Sequence, residues 1–378
     1  MPLILEEIPP TKVYFFIKNN IISNNNNTGI QISVGNVYLT IRITNNKIID
    51  NTSSSGDAGG IRLTMGGASP AADAYISNNI IAGNTGYEEG GIYIQYWTFS
   101  LVSIKNNSFY NNYSSQTESG SAIRTVRHDT GYGTSVASQI DNNIFSNHRG
   151  NNLVYFGVGN VSSYLDIDFN GNNYLGNQTD YIFYQSGEAS VDADSNYWGT
   201  TEESEIQARI YDWNDDGSLG FVDYNPYVSA PNIDAPISPP TKVAKEIQSN
   251  EIILTWDANP ESDVDGYKIH YGNHTGYSFA NTIDAGNTTS YDISGLVSNL
   301  DSVVAVTAYD DDADGTGDLV DGNESWFSLA AKYPDHVTGI TLEAAPKRVR
   351  VSWSANDEDN DISSYYIYRR TSSVPEEV

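Results

Sequence analysis

The sequence predicts an all-β protein in which a parallel β-solenoid is followed by β-sandwich sequence. Three observations carry that expectation. A short motif of two Asn followed by apolar residues recurs along the first half; no segment has a helical period; and beyond a Pro-rich stretch the repeats give way to alternating strands separated by turns.

The repeat reads Ile17-Lys-Asn-Asn-Ile-Ile-Ser-Asn24, Ile43-Thr-Asn-Asn-Lys-Ile-Ile-Asp-Asn51, Ile76-Ser-Asn-Asn-Ile-Ile-Ala-Gly-Asn84, Ile104-Lys-Asn-Asn-Ser-Phe-Tyr-Asn-Asn112, Ile140-Asp-Asn-Asn-Ile-Phe-Ser-Asn147 and Gly171-Asn-Asn-Tyr-Leu-Gly-Asn177. Taking Asn19, Asn45, Asn78, Asn106, Asn142 and Asn172 as markers, the steps are 26, 33, 28, 36 and 30 residues, and Ser195-Asn196-Tyr197-Trp198 adds a degenerate copy. Between copies lie segments such as Gly29-Ile-Gln-Ile32, Gly60-Ile-Arg-Leu63, Gly91-Ile-Tyr-Ile94 and Ala122-Ile-Arg-Thr125, and a third type such as Val37-Tyr-Leu-Thr-Ile41. Three short strands per unit are what one solenoid coil requires. Asn stacked at a corner can hydrogen-bond to the coils above and below, and it tolerates the left-handed backbone that such corners need.

From Ser229 to Pro240 the chain turns Pro-rich, which suits an extended linker. Beyond it Ile252-Ile-Leu-Thr-Trp256, Gly266-Tyr-Lys-Ile-His-Tyr271, Tyr291-Asp-Ile-Ser-Gly-Leu296, Val303-Val-Ala-Val-Thr-Ala308 and Ser325-Trp-Phe-Ser328 read as sandwich strands. Val337-Thr-Gly-Ile-Thr-Leu342, Val349-Arg-Val-Ser-Trp353 and Ser364-Tyr-Tyr-Ile-Tyr368 repeat the opening of that pattern.

Over roughly residues 11 to 228 the Asn-Asn pattern resembles the right-handed parallel β-helix repeat proteins, the superfamily that includes pectate-lyase-like enzymes. Asn196-Tyr-Trp-Gly-Thr200 with Gly220-Phe-Val-Asp-Tyr-Asn-Pro-Tyr227 is similar to the C-terminal end of such helices, where aromatics cap the core. The second half resembles fibronectin type III domains, with Pro239-Pro240 opening the unit, Trp256 in its second strand and Tyr267 in its third. It departs from that family at about Ser302, where a corner Tyr is expected. The expected organisation is a right-handed parallel β-helix of about seven coils over 1–228, a Pro-rich linker over 229–238, a complete fibronectin type III sandwich over 239–332 and a truncated second one over 333–378. Met1 to Pro10 is too short for a helical cap and the last sandwich stops after three strands, so both termini are expected to be fragment boundaries.

Composition narrows the function. Of 378 residues, 19 are Lys or Arg and 48 Asp or Glu, a net charge of −29 that opposes nucleic-acid binding. Without Cys there is no disulfide framework, thiolate metal site or cysteine nucleophile. No apolar run reaches the ~18 residues of a membrane-spanning helix, and no signal peptide is visible. An acidic, Cys-free chain of solenoid and sandwiches resembles exported multidomain proteins, so an extracellular or cell-surface location is expected.

Setting Ile30, Ile61, Ile92 and Ile123 in one inward row makes Gln31, Arg62, Tyr93 and Arg124 an outward row, flanked by Tyr96, Trp97, Arg127 and His128. Rings to stack on and cations for carboxylates suit a polysaccharide or cell-surface glycan. Asp57, Glu88-Glu89 and Glu118 precede the same strand as a neighbouring carboxylate stack, in which like charges could raise one pKa and create a general acid. Two functions compete. The face either binds glycans or adheres without catalysis, with Asp57, Arg62, Tyr93, Tyr96, Trp97 and Arg127 as contacts, or it is a polysaccharide lyase or glycosidase using Glu88, Glu118, Arg124 and His128. The same residues also suit an ordinary solvated face. His148, His270, His274 and His336 stand at no motif spacing and read as surface residues.

Asp310, Asp312, Asp314, Asp318 and Asp321 fall at positions 1, 3, 5, 9 and 12 of a loop with Gly315 at 6. That spacing fits Ca²⁺ at an extracellular affinity, ~10⁻⁴ to 10⁻³ M, but Asp321 stands where a bidentate Glu is usual, and the run fits a solvated acidic loop as well. Asp212-Trp-Asn214-Asp-Asp216-Gly217 opens in the same way.

Overall fold

The computed structural model describes residues 13–34, 39–54, 58–65, 72–96, 101–127, 136–158, 165–248, 251–298, 302–310, 323–330, 339–345 and 348–354. Residues 13–228 wind into a solenoid with three parallel sheets of eight, nine and six strands. Successive coils supply successive strands. Val13–Lys18, Ile21–Ser23 and Ile30–Val34 form the first coil; Leu39–Thr44, Lys47–Ile49 and Ile61–Met65 lie on it in register. Six coils reach all three sheets, as the six-stranded sheet requires, and a seventh adds Val191–Asp192 and Ile210–Tyr211.

The two Asn of each repeat have different jobs. The first takes the left-handed backbone that turns the corner, with φ between 53° and 58° at Asn19, Asn45, Asn78, Asn106 and Asn142; Gly171 and Ser195 take that place in later coils. The second, at 20, 46, 79, 107, 143, 172 and 196, builds a ladder in which each backbone N–H and Nδ2 up to Asn172 donates to the Oδ1 of the following coil, ending on Asn196. The same Nδ2 also donates back to a carbonyl of the preceding coil, as Asn79 does to Ile43 at 2.8 Å. At the other end of the short sheet, left-handed Asn24, Asp50, Gly83, Asn111, Asn147 and Gly176 precede a second ladder at 25, 51, 84, 112, 148 and 177. Asn172 therefore belongs to the ladder row and not to the corner row used as a marker above.

One row inside the six-stranded sheet runs Ile22, Ile48, Ile81, Phe109, Phe145, Tyr174. Phe109 and Phe145 stack at 4.7 Å, and Trp198 closes the row 5.1 Å from Tyr174. The far end is shut by Trp198, Tyr224, Tyr227 and a single helix, Glu203–Gln207, which buries Ile206. The sequence shows no such helix because five residues are too few to express a helical period. Phe221 does not join the cap: it is exposed and stacks on Trp213 at 4.7 Å.

The sandwich pairs Ala244–Gln248, Glu251–Thr255 and Ser290–Asp292 in one antiparallel sheet, and Phe279–Gly286, Gly266–His274 and Val304–Tyr309 in the other. Its core holds Ile237, Leu254, Trp256, Tyr267, Ile269, Ile293, Val304 and Val306. Where the corner Tyr is missing, buried Lys245 donates from Nζ to the Ser302 carbonyl. Beyond the sandwich Thr341–Ala345 and Arg348–Ser352 form an antiparallel pair.

The Pro-rich segment does not run free. Asn232 is bonded to Asn142, Gly171 and Asn173 of the solenoid, and residues 235–240 are buried. Ser325–Ser328 is not a regular strand; Ser325 and Ser328 N–H donate to Ala308 and Val306. Trp326 turns instead onto the outer side of the six-stranded sheet against Ile49, Ile80, Ala82 and Tyr110. Tyr110 Oη accepts the Leu329 N–H at 2.8 Å, and Lys47 Nζ lies 5.3 Å above the Trp326 ring. The sandwich is thus docked on the solenoid.

Candidate functional site

The nine-stranded sheet carries the outward row, and register fixes it. Gln31 pairs with Arg62, Arg62 with Tyr93, and Tyr93 with Arg124, with Ile30, Ile61, Ile92 and Ile123 beside them. The row then continues through Tyr155, Tyr184 and Tyr211. These three are absent from the sequence reading although the signal was there: Arg62, Tyr93 and Arg124 are spaced by 31 residues, and the next such step lands on Tyr155.

Guanidinium and phenol groups alternate face to face. Arg62 lies 4.5 Å over the Tyr93 ring, and Arg124 sits between Tyr93 at 5.7 Å and Tyr155 at 5.4 Å. Tyr155 stacks on Tyr184 at 5.5 Å, and Tyr184 on Tyr211 at 4.5 Å with Tyr181 edge-on to both. The ring faces expected to receive sugars are therefore used up by neighbours in the row. Tyr93 and Tyr155 are buried within the row, so what it presents outward is parts of Arg62, Arg124, Tyr184 and Tyr211, on strands at the ~4.8 Å spacing.

Beside the row, a bend ahead of strand Ile92–Tyr96 brings two carboxylates to one cation. Arg124 Nη1 lies 2.8 Å from Glu89 Oε1 and 3.1 Å from Glu88 Oε2. Glu88 is half-buried, whereas the Glu89 side chain is fully buried and its Oε2 has no hydrogen-bond partner. Burial pushes the Glu89 carboxyl up to about 7 against the pull of Arg124; repulsion from Glu88 adds a smaller push. The sequence places one raised carboxyl among Asp57, Glu88, Glu89 and Glu118 and attributes it to like charge, with Glu88 and Glu118 as the catalytic candidates. The structure gives it to Glu89 and to desolvation.

Of the other expected residues, Glu118 is exposed; burial raises the Tyr155 and Tyr184 hydroxyls, and the Glu118 charge adds to it. Tyr96 and Arg127 pair across adjacent strands. Asp57, Trp97 and His128 lie outside the described residues. So do Asp312, Asp314, Asp318 and Asp321 of the acidic loop; its first residue, Asp310, is buried at the end of the sandwich. In the Asp212 loop both carboxylate oxygens already accept N–H donors, from Asn214 and Val222, so this opening is a self-bonded turn. Among the described residues no cluster of His, Asp and Glu could hold a metal, and no helix is long and apolar enough to cross a membrane.

Two histidines read as surface residues are buried. His148 takes an Asn position in the second ladder, and His270 bonds Thr307 and Thr282 beside Glu324. Neither position is marked by local sequence, because each is buried by strands distant along the chain. His274 is exposed, and His336 lies outside the described residues.

Residues 238–317 match the fibronectin type III domain family. None of the curated proteins matches the chain. The chain is a parallel β-helix followed by a fibronectin type III domain.

Proposed function

We propose that the protein is a surface or secreted multidomain protein whose nine-stranded solenoid face binds an extended glycan along the solenoid axis, without catalysis. One observation carries this reading: Arg62, Tyr93, Arg124, Tyr155, Tyr184 and Tyr211 form one outward row in strict register, half-buried at Arg62, Arg124, Tyr184 and Tyr211 and buried at Tyr93 and Tyr155. A linear polymer of hydroxyls and carboxylates meets such a row by hydrogen bonding, with Arg62 suited to acidic groups, while Arg124 is already held by Glu88 and Glu89.

The second reading, a lyase or glycosidase, draws on the near-neutral Glu89. Full burial of that side chain and its bond to Arg124 weigh against it, because a general acid must reach the substrate.

Glycan-array binding followed by calorimetry, with reducing-sugar and unsaturated-product assays run in parallel, tests both. Arg124→Ala and Tyr184→Ala are expected to weaken binding at least tenfold, with no turnover in wild type. Turnover that disappears in Glu89→Gln would establish the catalytic reading, and binding to no glycan would end both.

A further inference from the structure

We propose that the exposed Trp213–Phe221 pair is a stacking subsite for a neutral pyranose unit, at the end of the solenoid where the outward row finishes on Tyr184 and Tyr211. The subsite rests on the glycan reading for the polymer it belongs to, and adds which unit is taken at this end and by what contact.

Within the row Tyr93 and Tyr155 are buried between neighbours and offer no ring face to a sugar. The pair does. Exposure alternates past the last strand of the sheet: Ile210 and Asp212 are buried, Tyr211 is half-buried in the row and Trp213 is 46% exposed. Trp213 therefore stands on the row's side of the chain, two residues beyond its last member. Phe221, 45% exposed, stacks on it at 4.7 Å with the ring planes 29° apart.

The loop between them holds both rings out. Asp212 clamps its two arms, accepting the Asn214 N–H at Oδ1 and the Val222 N–H at Oδ2, 3.0 Å away. The Trp213 N–H donates to the Gly220 carbonyl at 3.2 Å, and Gly220 lies so close to the preceding coil that a Cβ there would collide with the Ala189 carbonyl. Both rings are thus kept out of the core that Trp198 and Tyr224 close, leaving an exposed apolar surface that folding alone does not explain.

Its chemistry selects the ligand. A pyranose face that carries only C–H bonds is apolar and slightly positive, and lies flat on the negative face of an aromatic ring. Two rings 29° apart make such a floor, whereas a cage for a cation needs rings standing around the charge. Asp215, Asp216 and Asp223 flank the pair, and residues 212–223 contain no Lys or Arg, so a uronate carboxylate would meet like charge. Arg62, the group suited to acidic units, lies five strands away in the same sheet. The unit at this end is therefore neutral, and a β-glucose-type ring, with every hydroxyl equatorial, presents the required face without obstruction.

The full chain is titrated with cellotetraose and with its C6-oxidised counterpart, the β-1,4-linked glucuronate tetramer. Calorimetry gives the affinity, and NMR follows the Trp213 indole N–H, identified by its disappearance in Trp213→Tyr. Cellotetraose should bind saturably and shift that signal. Trp213→Ala should weaken binding at least tenfold, Trp213→Tyr, which keeps a ring, by no more than about threefold, and the glucuronate should bind at least tenfold more weakly than cellotetraose. Tyr184→Ala separates the subsite from the row: a loss in Trp213→Ala alone upholds the stacking subsite and counts against the row, and a loss in Tyr184→Ala alone upholds the row and overturns the subsite. Three further results would overturn it: no binding of cellotetraose; equal or tighter binding of the glucuronate; or acrylamide quenching of fluorescence that is the same in wild type and Trp213→Tyr, which means that other residues of the protein or a second copy already cover the pair.

Discussion

The solenoid and the sandwich bury similar apolar cores by opposite means, and the difference shows in what a lost residue takes with it. In the solenoid every core and corner position recurs once per coil, and a buried amide ladder ties each coil to both neighbours. In the sandwich each core residue is unique. Trp256 meets Tyr267 at 5.4 Å, and the strand before it, Glu251–Thr255, pairs antiparallel with its hairpin neighbour Ala244–Gln248 and with the distant Ser290–Asp292. The solenoid's weak points are thus buried polar groups and the sandwich's are buried rings.

The largest expected effect separates the two. Asn79 is fully buried; its Oδ1 accepts two bonds from Asn46, and its Nδ2 donates to Ile43, Ser77 and Asn107. Asn79→Leu strands several of those groups at about 1 to 3 kcal/mol each, so a loss of about 4 to 6 kcal/mol is expected. Trp256→Ala removes a ring and leaves a cavity, about 3 to 5 kcal/mol. Hydrogen exchange reads the two regions separately: the first substitution should loosen coils on both sides of 79, the second the sandwich core only. If Asn79→Leu loosens only its own coil, the amide ladder does not couple the coils.

Next in size is the junction. Trp326→Ala should cost about 3 kcal/mol and speed exchange at Lys47–Ile49 and Ser108–Tyr110 while leaving Leu254 and Ile269 protected. Unchanged exchange on the solenoid side would mean that the two regions only touch.

Periodicity explains what the sequence made legible. Ile30, Ile61, Ile92 and Ile123 share a register because a one-residue slip would expose all of them, so the outward Arg62, Tyr93 and Arg124 follow. What was not legible depends on three dimensions. Glu88 and Glu89 are neighbours in sequence, but only Glu89 lies buried against Arg124. Trp326 looks like a sandwich residue until the six-stranded sheet is placed under it. Of the calcium spacing that opens at Asp310, only that first residue lies among the described residues.

His148 offers a smaller test, on the pH axis. It stands where other coils have Asn, is fully buried, and burial lowers it to about 4. The unfolded chain, with an ordinary value near 6.5, binds the proton first as pH falls. Stability is therefore complete above about 6.5 and is lost on acidification toward 4, by about 2 kcal/mol at pH 5. His148→Asn restores the ladder amide and removes the titration, so its unfolding midpoint should change less than wild type's between pH 7 and 5. An identical acid loss in the variant would assign it to the solenoid's carboxylates.

The smallest expected effect dissects the repeat itself. In Asn78-Asn79 the first residue supplies only its backbone, with φ at 56°, and its side-chain Oδ1 is buried without a partner. Glycine adopts that conformation freely and already stands at the equivalent Gly171, so Asn78→Gly should move stability by less than about 1 kcal/mol in either direction. Asn78→Ala should cost about 1 to 2 kcal/mol, because a Cβ without a polar group is strained there. Asn79→Gly keeps the backbone permissive but deletes the ladder amide, so it should approach the loss expected for Asn79→Leu. Denaturant midpoints for the three variants order the two Asn by role: if Asn78→Gly proves as damaging as Asn79→Gly, the corner and the ladder are not separable and both amides are needed at each turn.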